Sequence, residues 1–193
     1  MLKDRLYTTA PKSLARRSAQ TALWHITHAM LRWMAPFLSF TAEQAWKVFE
    51  PAKTSSIFVE TYSDVSAWRG EELLAKWARI RAIRDVANKE IEALRADGHV
   101  GSSLQASLAI AADAADHALL ASLGDDLRFV TITSQAVLSE AAELAVRVTP
   151  STATKCERCW HYRDDVGADT AHPTICGRCT SNLYGAGEAR TVA

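Results

Sequence analysis

The four cysteines of the chain form two C-x-x-C pairs, C-E-R-C at 156–159 and C-G-R-C at 176–179. No cysteine lies outside these pairs, and 16 residues, 160–175, separate them. This spacing is typical of a Cys₄ zinc site. Zinc binds four thiolates tetrahedrally, and a site closed in this way is structural because no position is left for a substrate. The sequence therefore predicts one structural Zn²⁺ held by Cys156, Cys159, Cys176 and Cys179.

Other interpretations of the cysteines stay open. Two disulfides would require an oxidising compartment, but the charged first residues lack the apolar segment of a secretory signal. A redox C-x-x-C is expected where a strand meets a helix, whereas these pairs lie in a tail containing Gly and Asp. Iron accepts the same four thiolates, and His161 or His172 could replace one sulfur. The sequence therefore constrains the position of the site more closely than the identity of the metal.

Charge is balanced overall but unevenly distributed. The formal net charge is zero, with 22 Lys plus Arg against 22 Asp plus Glu, which is not typical of a nucleic-acid-binding domain. Residues 1–35, however, carry six cations and one acid, whereas residues 101–150 carry two cations and six acids. Such asymmetry indicates either an end that faces a polyanion or an ordinary solvated helix surface. No stretch approaches the roughly 20 apolar residues of a membrane span, so we expect a cytoplasmic protein without membrane contact.

Two long helices are predicted in the first half of the chain. In residues 12–35 apolar side chains recur at three- and four-residue steps, which places on one helix face Leu23, Ile26, Met30, Trp33 and Phe37. Thr41 with Gln44 predicts a capping box for the next helix. Residues 71–96 form the clearest helix, and its apolar stripe is more typical of a core than of a binding surface. The stripe comprises Leu73, Trp77, Ile80, Ile83, Ala87, Ile91 and Leu94.

Shorter elements are predicted elsewhere. The alternation at 104–110 and the apolar runs at 57–59, 129–132 and 145–148 indicate strands, and the Ala-rich segment 111–123 indicates a helix. The predicted fold class is mainly α, with a helical bundle, a small α+β module and a C-terminal zinc-knuckle tail. The corresponding domains are 1–100, 101–150 and 151–193, with residues 150–154 as a linker into the tail.

Cationic and aromatic side chains surround the cysteine pairs and suit phosphate contact and base stacking. With the basic first segment, they give a candidate nucleic-acid-binding set: Arg16, Arg17, Lys155, Arg158, Trp160 and Arg178. Alternatively, these residues support the fold, because acids lie nearby and a Zn²⁺ with four thiolates keeps a net charge of about −2.

Catalytic signatures are missing from the sequence. It contains no G-x-G-x-x-G or Walker-type phosphate loop, no G-x-S-x-G elbow and no H-E-x-x-H. We therefore predict no catalytic residue, and the chain does not resemble a complete enzyme.

Several segments together resemble the C-terminal region of bacterial isoleucyl-tRNA synthetases, from the anticodon-binding domain to the zinc finger. The resemblance runs in order from residue 2 to about residue 190. The segments are L-K-D-R-L-Y at 2–7, W-M-A-P-F-L-S-F-T-A-E at 33–43, K-E-I-E at 89–92, G-S-S-L at 101–104, K-C-E-R-C-W at 155–160 and H-P-T-I-C-G-R-C at 172–179.

The resemblance implies a fragment of a class I aminoacyl-tRNA synthetase, an isoleucine-tRNA ligase that uses ATP. Its catalytic and editing domains would lie outside this chain, which would hold the anticodon stem of isoleucine tRNA. The full enzyme would be cytoplasmic and monomeric. An alternative is a free-standing zinc-containing module that binds RNA or protein. A DNA-repair glycosylase has a related zinc finger but would begin with Pro-Glu after Met1, where this chain has Leu2 and Lys3.

Overall fold

A computed structural model of the chain describes residues 2–190 and residue 192. The chain divides into two compact units, the first formed by residues 1–16 with 71–193 and the second by residues 17–70. The helices are α1 (Leu2–Thr8), α2 (Leu14–Met34), α3 (Ser39–Phe49), α4 (Glu71–Ala96), α5 (Ala114–Ala121), α6 (Leu127–Thr131) and α7 (Gly177–Tyr184). The strands are β1 (Ala106–Ala112), β2 (Gln135–Glu140), β3 (Ala145–Pro150), β4 (Thr154–Lys155) and β5 (Tyr162–Arg163).

The core of the first unit lies between α4 and a three-stranded sheet of order β2-β1-β3. In the middle of the sheet Leu108 pairs with Ala136 of the parallel β2 and with Val148 of the antiparallel β3. Alternate β1 residues are buried, as a half-covered strand requires. The connection from β1 to β2 carries α5 and α6, because parallel strands need a crossover.

Helix α4 has the bounds that the sequence predicts. The middle of its stripe is fully buried at Ile80, Ile83, Ala87 and Ile91, whereas Leu73 is exposed. Glu71 and Glu72 in its first turn complement the helix dipole. Gly98, at φ +76°, follows its end in the left-handed conformation that commonly terminates helices. The prediction of a core-forming helix is confirmed.

Two predicted strands are wrong. Residues 57–59 form a 3₁₀ turn, because the Ser56 hydroxyl accepts the Phe58 N–H and the Glu43 carboxylate accepts the Ile57 N–H. Residues 127–131 form α6, which buries Phe129 and Val130. Short apolar runs do not distinguish a buried strand from a buried helical turn. The strand that pairs in parallel with β1 is β2, which the sequence analysis did not predict. Only Ala136 and Leu138 of β2 are partly buried, so its alternation is too short to identify a strand.

The second unit contains most of α2, all of α3 and a core of Leu31, Ala35, Ala42, Trp46 and Ile57. The predicted capping box is wrong, because α3 begins at Ser39 and its N-cap Leu38 offers no side-chain hydrogen bond. Hydrogen bonds from Phe37 and Leu38 to the carbonyl of Met34 turn the chain directly into α3. Thr41 therefore lies inside the helix.

The predicted apolar face of α2 is largely exposed within the described residues. Ile26, Met30, Trp33 and Phe37 lie at the surface. The buried positions of α2 are instead Ala15, Ala19, Ala29, Leu31 and Arg32. Arg32 is buried because its guanidinium donates to Glu60 at 2.6 Å. Among the described helices, none combines the length and apolarity needed to cross a bilayer.

Candidate metal centre and its surroundings

The four cysteines meet in one buried cluster in the first unit. Their Sγ atoms all lie within 4.8 Å of one another. The Cys156–Cys179 and Cys159–Cys176 sulfur pairs are each separated by 3.8 Å. A tetrahedron with metal–sulfur bonds of about 2.3 Å has edges of about 3.8 Å. The cluster therefore has the dimensions of a four-thiolate zinc site, and all four cysteines are free of disulfides.

Backbone turns fix the positions of the sulfurs. The Trp160 N–H donates to the Cys156 carbonyl at 2.9 Å and closes the first C-x-x-C turn, while the Cys176 N–H donates to the Cys156 Sγ at 3.3 Å. Cys176 is the N-cap of α7, and Cys179 lies in its first turn. The positive end of the helix dipole therefore lies beside two of the sulfurs.

The thiols influence one another strongly. Hydrogen bonds from Cys176 and Cys179 lower the pKa of Cys159, so its thiolate forms first. The same hydrogen bonds and the resulting charge raise the pKa of Cys179 and that of Cys176, the latter to about 11. Four like charges in so small a space are disfavoured without a cation. The donor set and its spacing thus fit a divalent, thiolate-preferring ion.

A buried ionic network joins the cluster to the first helix. Arg178, in α7, donates to Asp4 of α1 at 3.0 and 2.9 Å and to Glu188 at 3.2 Å. Arg190 donates to the same Asp4 carboxylate at 2.5 Å. The side chains of Arg178 and Arg190 are only 7% and 1% exposed. Arg178, which the sequence suggests as an RNA contact, therefore holds the fold together at this position.

Phe129 lies at the centre of this network. The Arg190 guanidinium carbon is 3.8 Å from its ring centroid, and that of Arg178 is 4.9 Å away. The imidazole of His161 meets the same ring edge-on at 5.5 Å. Cation–π contacts are stronger when they are shielded from water. Through Phe129, helix α6 therefore connects the three-stranded sheet to the cysteine cluster.

Three of the predicted RNA-contact residues lie together beside α1. Arg158 donates to the carbonyl oxygens of Thr8 at 2.8 Å and Tyr7 at 3.2 Å, which satisfies the C-terminal end of that helix. Trp160 is half-exposed, and Lys155 lies 5.6 Å from its ring centroid. Lys3, from the other end of the chain, lies 4.6 Å from the same ring.

The remaining predicted contacts lie on α2, where Arg17 is exposed and Arg16 is half-buried. Sequence reasoning did not single out Lys3, Asp4 or Tyr7 as part of the metal-centre surroundings. One signal was present for Asp4, since it is the lone acid among six cations in residues 1–35. His172 stacks on Tyr184 at 4.0 Å and is outside the cysteine cluster.

Known families match both parts of this arrangement. A domain family described as "Anticodon-binding domain of tRNA ligase" matches residues 1–110, more than half of the chain. The chain belongs to this family of anticodon-binding domains. A second family, described as "Zinc finger found in FPG and IleRS", matches residues 154–182, which contain all four cysteines. The resemblance drawn from the sequence is thereby confirmed.

Curated relatives match the anticodon-binding domain and the cysteine cluster together, over 100% of this chain. An isoleucine--tRNA ligase from Ralstonia pickettii (strain 12J) is 60% identical over 199 residues. Those from Azoarcus sp. (strain BH72) and Bordetella petrii (strain ATCC BAA-461 / DSM 12804 / CCUG 43448) are 58% and 55% identical. The match takes up 21% of each relative, so the chain spans about a fifth of their length.

Proposed function

We propose that this chain is the tRNA-binding C-terminal part of an isoleucine--tRNA ligase. One observation carries the proposal: relatives with that name are 55–60% identical across the whole chain, through both the anticodon-binding domain and the cysteine cluster. A free-standing RNA- or protein-binding module would not require both parts to keep their order within a longer ligase. The proposed substrate is the anticodon stem and loop of isoleucine tRNA.

The full enzyme would be a class I aminoacyl-tRNA synthetase that attaches isoleucine to tRNA with ATP. This chain would supply none of the catalytic residues and would hold the tRNA at the end remote from the chemistry. Holding a substrate in a fixed position and orientation lowers the entropic cost of bringing the reacting groups together. We further propose that the enzyme is a cytoplasmic monomer.

The cysteine cluster would hold one structural Zn²⁺ through Cys156, Cys159, Cys176 and Cys179. Two sulfur–sulfur distances of 3.8 Å support this assignment, because they equal the edge of a zinc–thiolate tetrahedron. The bound ion supplies folding free energy to a tail that is too short for a large apolar core. The surrounding residues orient the tail: Arg178 and Arg190 hold it to Asp4, and Arg158 holds it to the end of α1.

RNA contact is proposed for two groups of residues. Lys155 and Trp160 are exposed beside the cluster, Arg158 is half-buried next to them, and Arg16 with Arg17 lie on α2. Cations would contact phosphates and set the register, whereas unstacked loop bases would carry the identity of the tRNA. Because Arg178 is buried, we assign it the support of this surface and no direct phosphate contact.

Three functional segments are proposed: an anticodon-binding helical segment at 1–100, a small α+β segment at 101–150 and a zinc finger at 151–193. The two compact units divide the chain differently, because α1 and α4 belong to the same unit as the zinc finger. The functional segments and the packing units therefore need not coincide.

The test is binding of the zinc-loaded chain to isoleucine tRNA and to a non-cognate tRNA over a salt series. We expect tighter binding to isoleucine tRNA, a negative slope of log K against log salt from phosphate contacts, and loss of the preference when zinc is removed. Equal affinity for both tRNAs at every salt concentration, with or without zinc, would refute the proposal.

A further inference from the structure

A largely apolar pocket of about 560 Å³ lies between α1 and the cysteine cluster, within the first unit. Leu104, Phe129 and Ile132 contribute its apolar surface, and Tyr7 and Trp160 contribute aromatic rings at its edge. Tyr7 is 72% exposed and Trp160 49% exposed, so both rings are open to a ligand. The volume is within the range of roughly 300–1,000 Å³ found for small-ligand sites.

Backbone strain is concentrated at this pocket. Ile132, at φ +58°, and Trp160, at φ +67°, are the two non-glycine residues with positive φ in the described part of the chain, and both line it. The left-handed region is unfavourable for large side chains and especially for a β-branched one. Strain of this kind persists where the surrounding structure enforces it, often at ligand sites. The two unfavourable conformations place an Ile and a Trp side chain at one opening.

Positive charge lies at the edge of the same pocket. Both Lys3 and Lys155 are exposed, and their ammonium groups lie 4.6 and 5.6 Å from the Trp160 ring centroid. The acid that lines the pocket, Asp4, is already paired with Arg178 and Arg190. The edge therefore favours an anionic group next to a planar apolar one, which is the composition of a nucleotide.

We propose that this pocket binds one unstacked base of an RNA strand. The base stacks against Trp160 and Tyr7 over the apolar floor, and Lys3 and Lys155 move from the Trp160 ring to the adjacent phosphates. Aromatic stacking with a cationic edge is the general mode of single-stranded RNA binding. This inference rests on the proposed tRNA function and identifies a base-binding subsite within it, formed by α1 as well as the zinc finger.

The test couples a pocket residue to a position in the RNA. Each loop nucleotide of an isoleucine tRNA anticodon stem–loop is replaced in turn by an abasic nucleotide, and affinity for the zinc-loaded chain is measured. One abasic position should weaken binding by about 5- to 150-fold, the effect expected from losing one stacked base. With Trp160→Ala or Tyr7→Ala protein, removal of that same base should weaken binding little further. With Trp160→Phe protein, its removal should weaken binding almost as much as with the parent protein.

Tyr62→Ala is the matched control, because Tyr62 is similarly exposed but belongs to the second unit. Zinc content and circular dichroism establish that each variant is folded, and Tyr7→Ala provides an independent probe if Trp160→Ala misfolds. If the stem–loop binds but no abasic position couples to Trp160 or Tyr7, the pocket inference is wrong and the tRNA proposal stands. If neither the stem–loop nor intact isoleucine tRNA binds preferentially, the tRNA proposal itself fails.

Discussion

The guanidinium of Arg178 donates two hydrogen bonds, at 3.0 and 2.9 Å, to the carboxylate of Asp4, 174 residues earlier in the chain. Arg178 stands between the two cysteines of the second pair, and Asp4 lies in the first helix. The pair makes the cysteine cluster and α1 parts of one packed unit. A substitution that disrupts either one should therefore also destabilise the other.

Replacing Asp4 by Ala should destabilise the first unit strongly. Arg178 and Arg190 would keep their buried positions without their shared carboxylate. Breaking a buried pair in this way costs about 3–5 kcal/mol, and chemical denaturation followed by circular dichroism measures the change. Asp85→Ala, on the exposed side of α4, is the control and should change stability by less than about 0.5 kcal/mol. Equal effects of the two substitutions would contradict the importance of this network.

The same pair predicts a pH dependence. Burial alone raises the pKa of Asp4, but hydrogen bonds and charge from Arg178, together with the charge of Arg190, outweigh it, and the pKa falls below 3.8. A carboxyl group with a lowered pKa stabilises the folded state fully above its unfolded pKa and loses that contribution as the pH falls through its folded pKa. The unfolding free energy should therefore decline more steeply below pH 4 in the parent chain than in Asp4→Asn.

The pH experiment requires denaturation curves of both proteins at matched pH values and zinc concentrations. Acid also protonates the thiolates and releases metal, but this effect is common to the two proteins. Their difference isolates the Asp4 contribution, and parallel curves from pH 6 to pH 2 would show that it is negligible.

Cys176→Ser should abolish stoichiometric zinc binding, because a four-thiolate site loses a ligand from a closed tetrahedron. Elemental analysis measures the metal, and His172→Ala, which is outside the cluster, should keep one zinc per chain. Because α7 holds α1 through Arg178, backbone amides of residues 2–8 should also exchange faster in Cys176→Ser, whereas those of the second unit should change little. Unchanged zinc content in this variant would disprove the ligand assignment.

Ile132→Gly should be unusually well tolerated for a large-to-small substitution. Ile132 ends α6 in the left-handed conformation, where a side chain costs about 1–2 kcal/mol and glycine costs little. Relief of this strain should offset the lost apolar contact and leave the unfolding free energy within about 1 kcal/mol of the parent. Val130→Gly, two residues earlier and buried in the same helix, should lose about 3 kcal/mol or more. Thermal or chemical denaturation of the two variants makes the comparison, and equal losses would contradict the strain argument.

The sequence predicted most accurately those features that depend on local pattern. The α4 stripe has a full helical period over many turns, and both cysteine turns have a fixed ligand spacing, so each could be identified without knowledge of the rest. The strand predictions for residues 57–59 and 129–132 were wrong because contacts with remote residues set the conformation of these segments. Glu43 accepts a hydrogen bond from the first segment, and Phe129 of the second packs against Arg178 and Arg190.

The parts of the site that the sequence could not assemble come from opposite ends of the chain. The local pattern marks Asp4 as the lone acid among the cations of residues 1–35, but it does not indicate that Asp4, Lys3 or Tyr7 lies beside Trp160 or Arg178. Charge pattern alone also could not separate Arg178, whose side chain is only 7% exposed, from an exposed cation such as Lys155. Burial, which is a property of the folded state, makes that distinction.

The most direct test of the central claim compares two tRNAs that differ only in the anticodon. Dissociation constants are measured for the zinc-loaded chain with isoleucine tRNA and with the same tRNA carrying a different anticodon, at one fixed salt concentration. Recognition of the anticodon end predicts that the substituted tRNA binds at least about tenfold more weakly, equivalent to about 1.4 kcal/mol. Equal dissociation constants would contradict the claim and leave only non-specific attraction to phosphate.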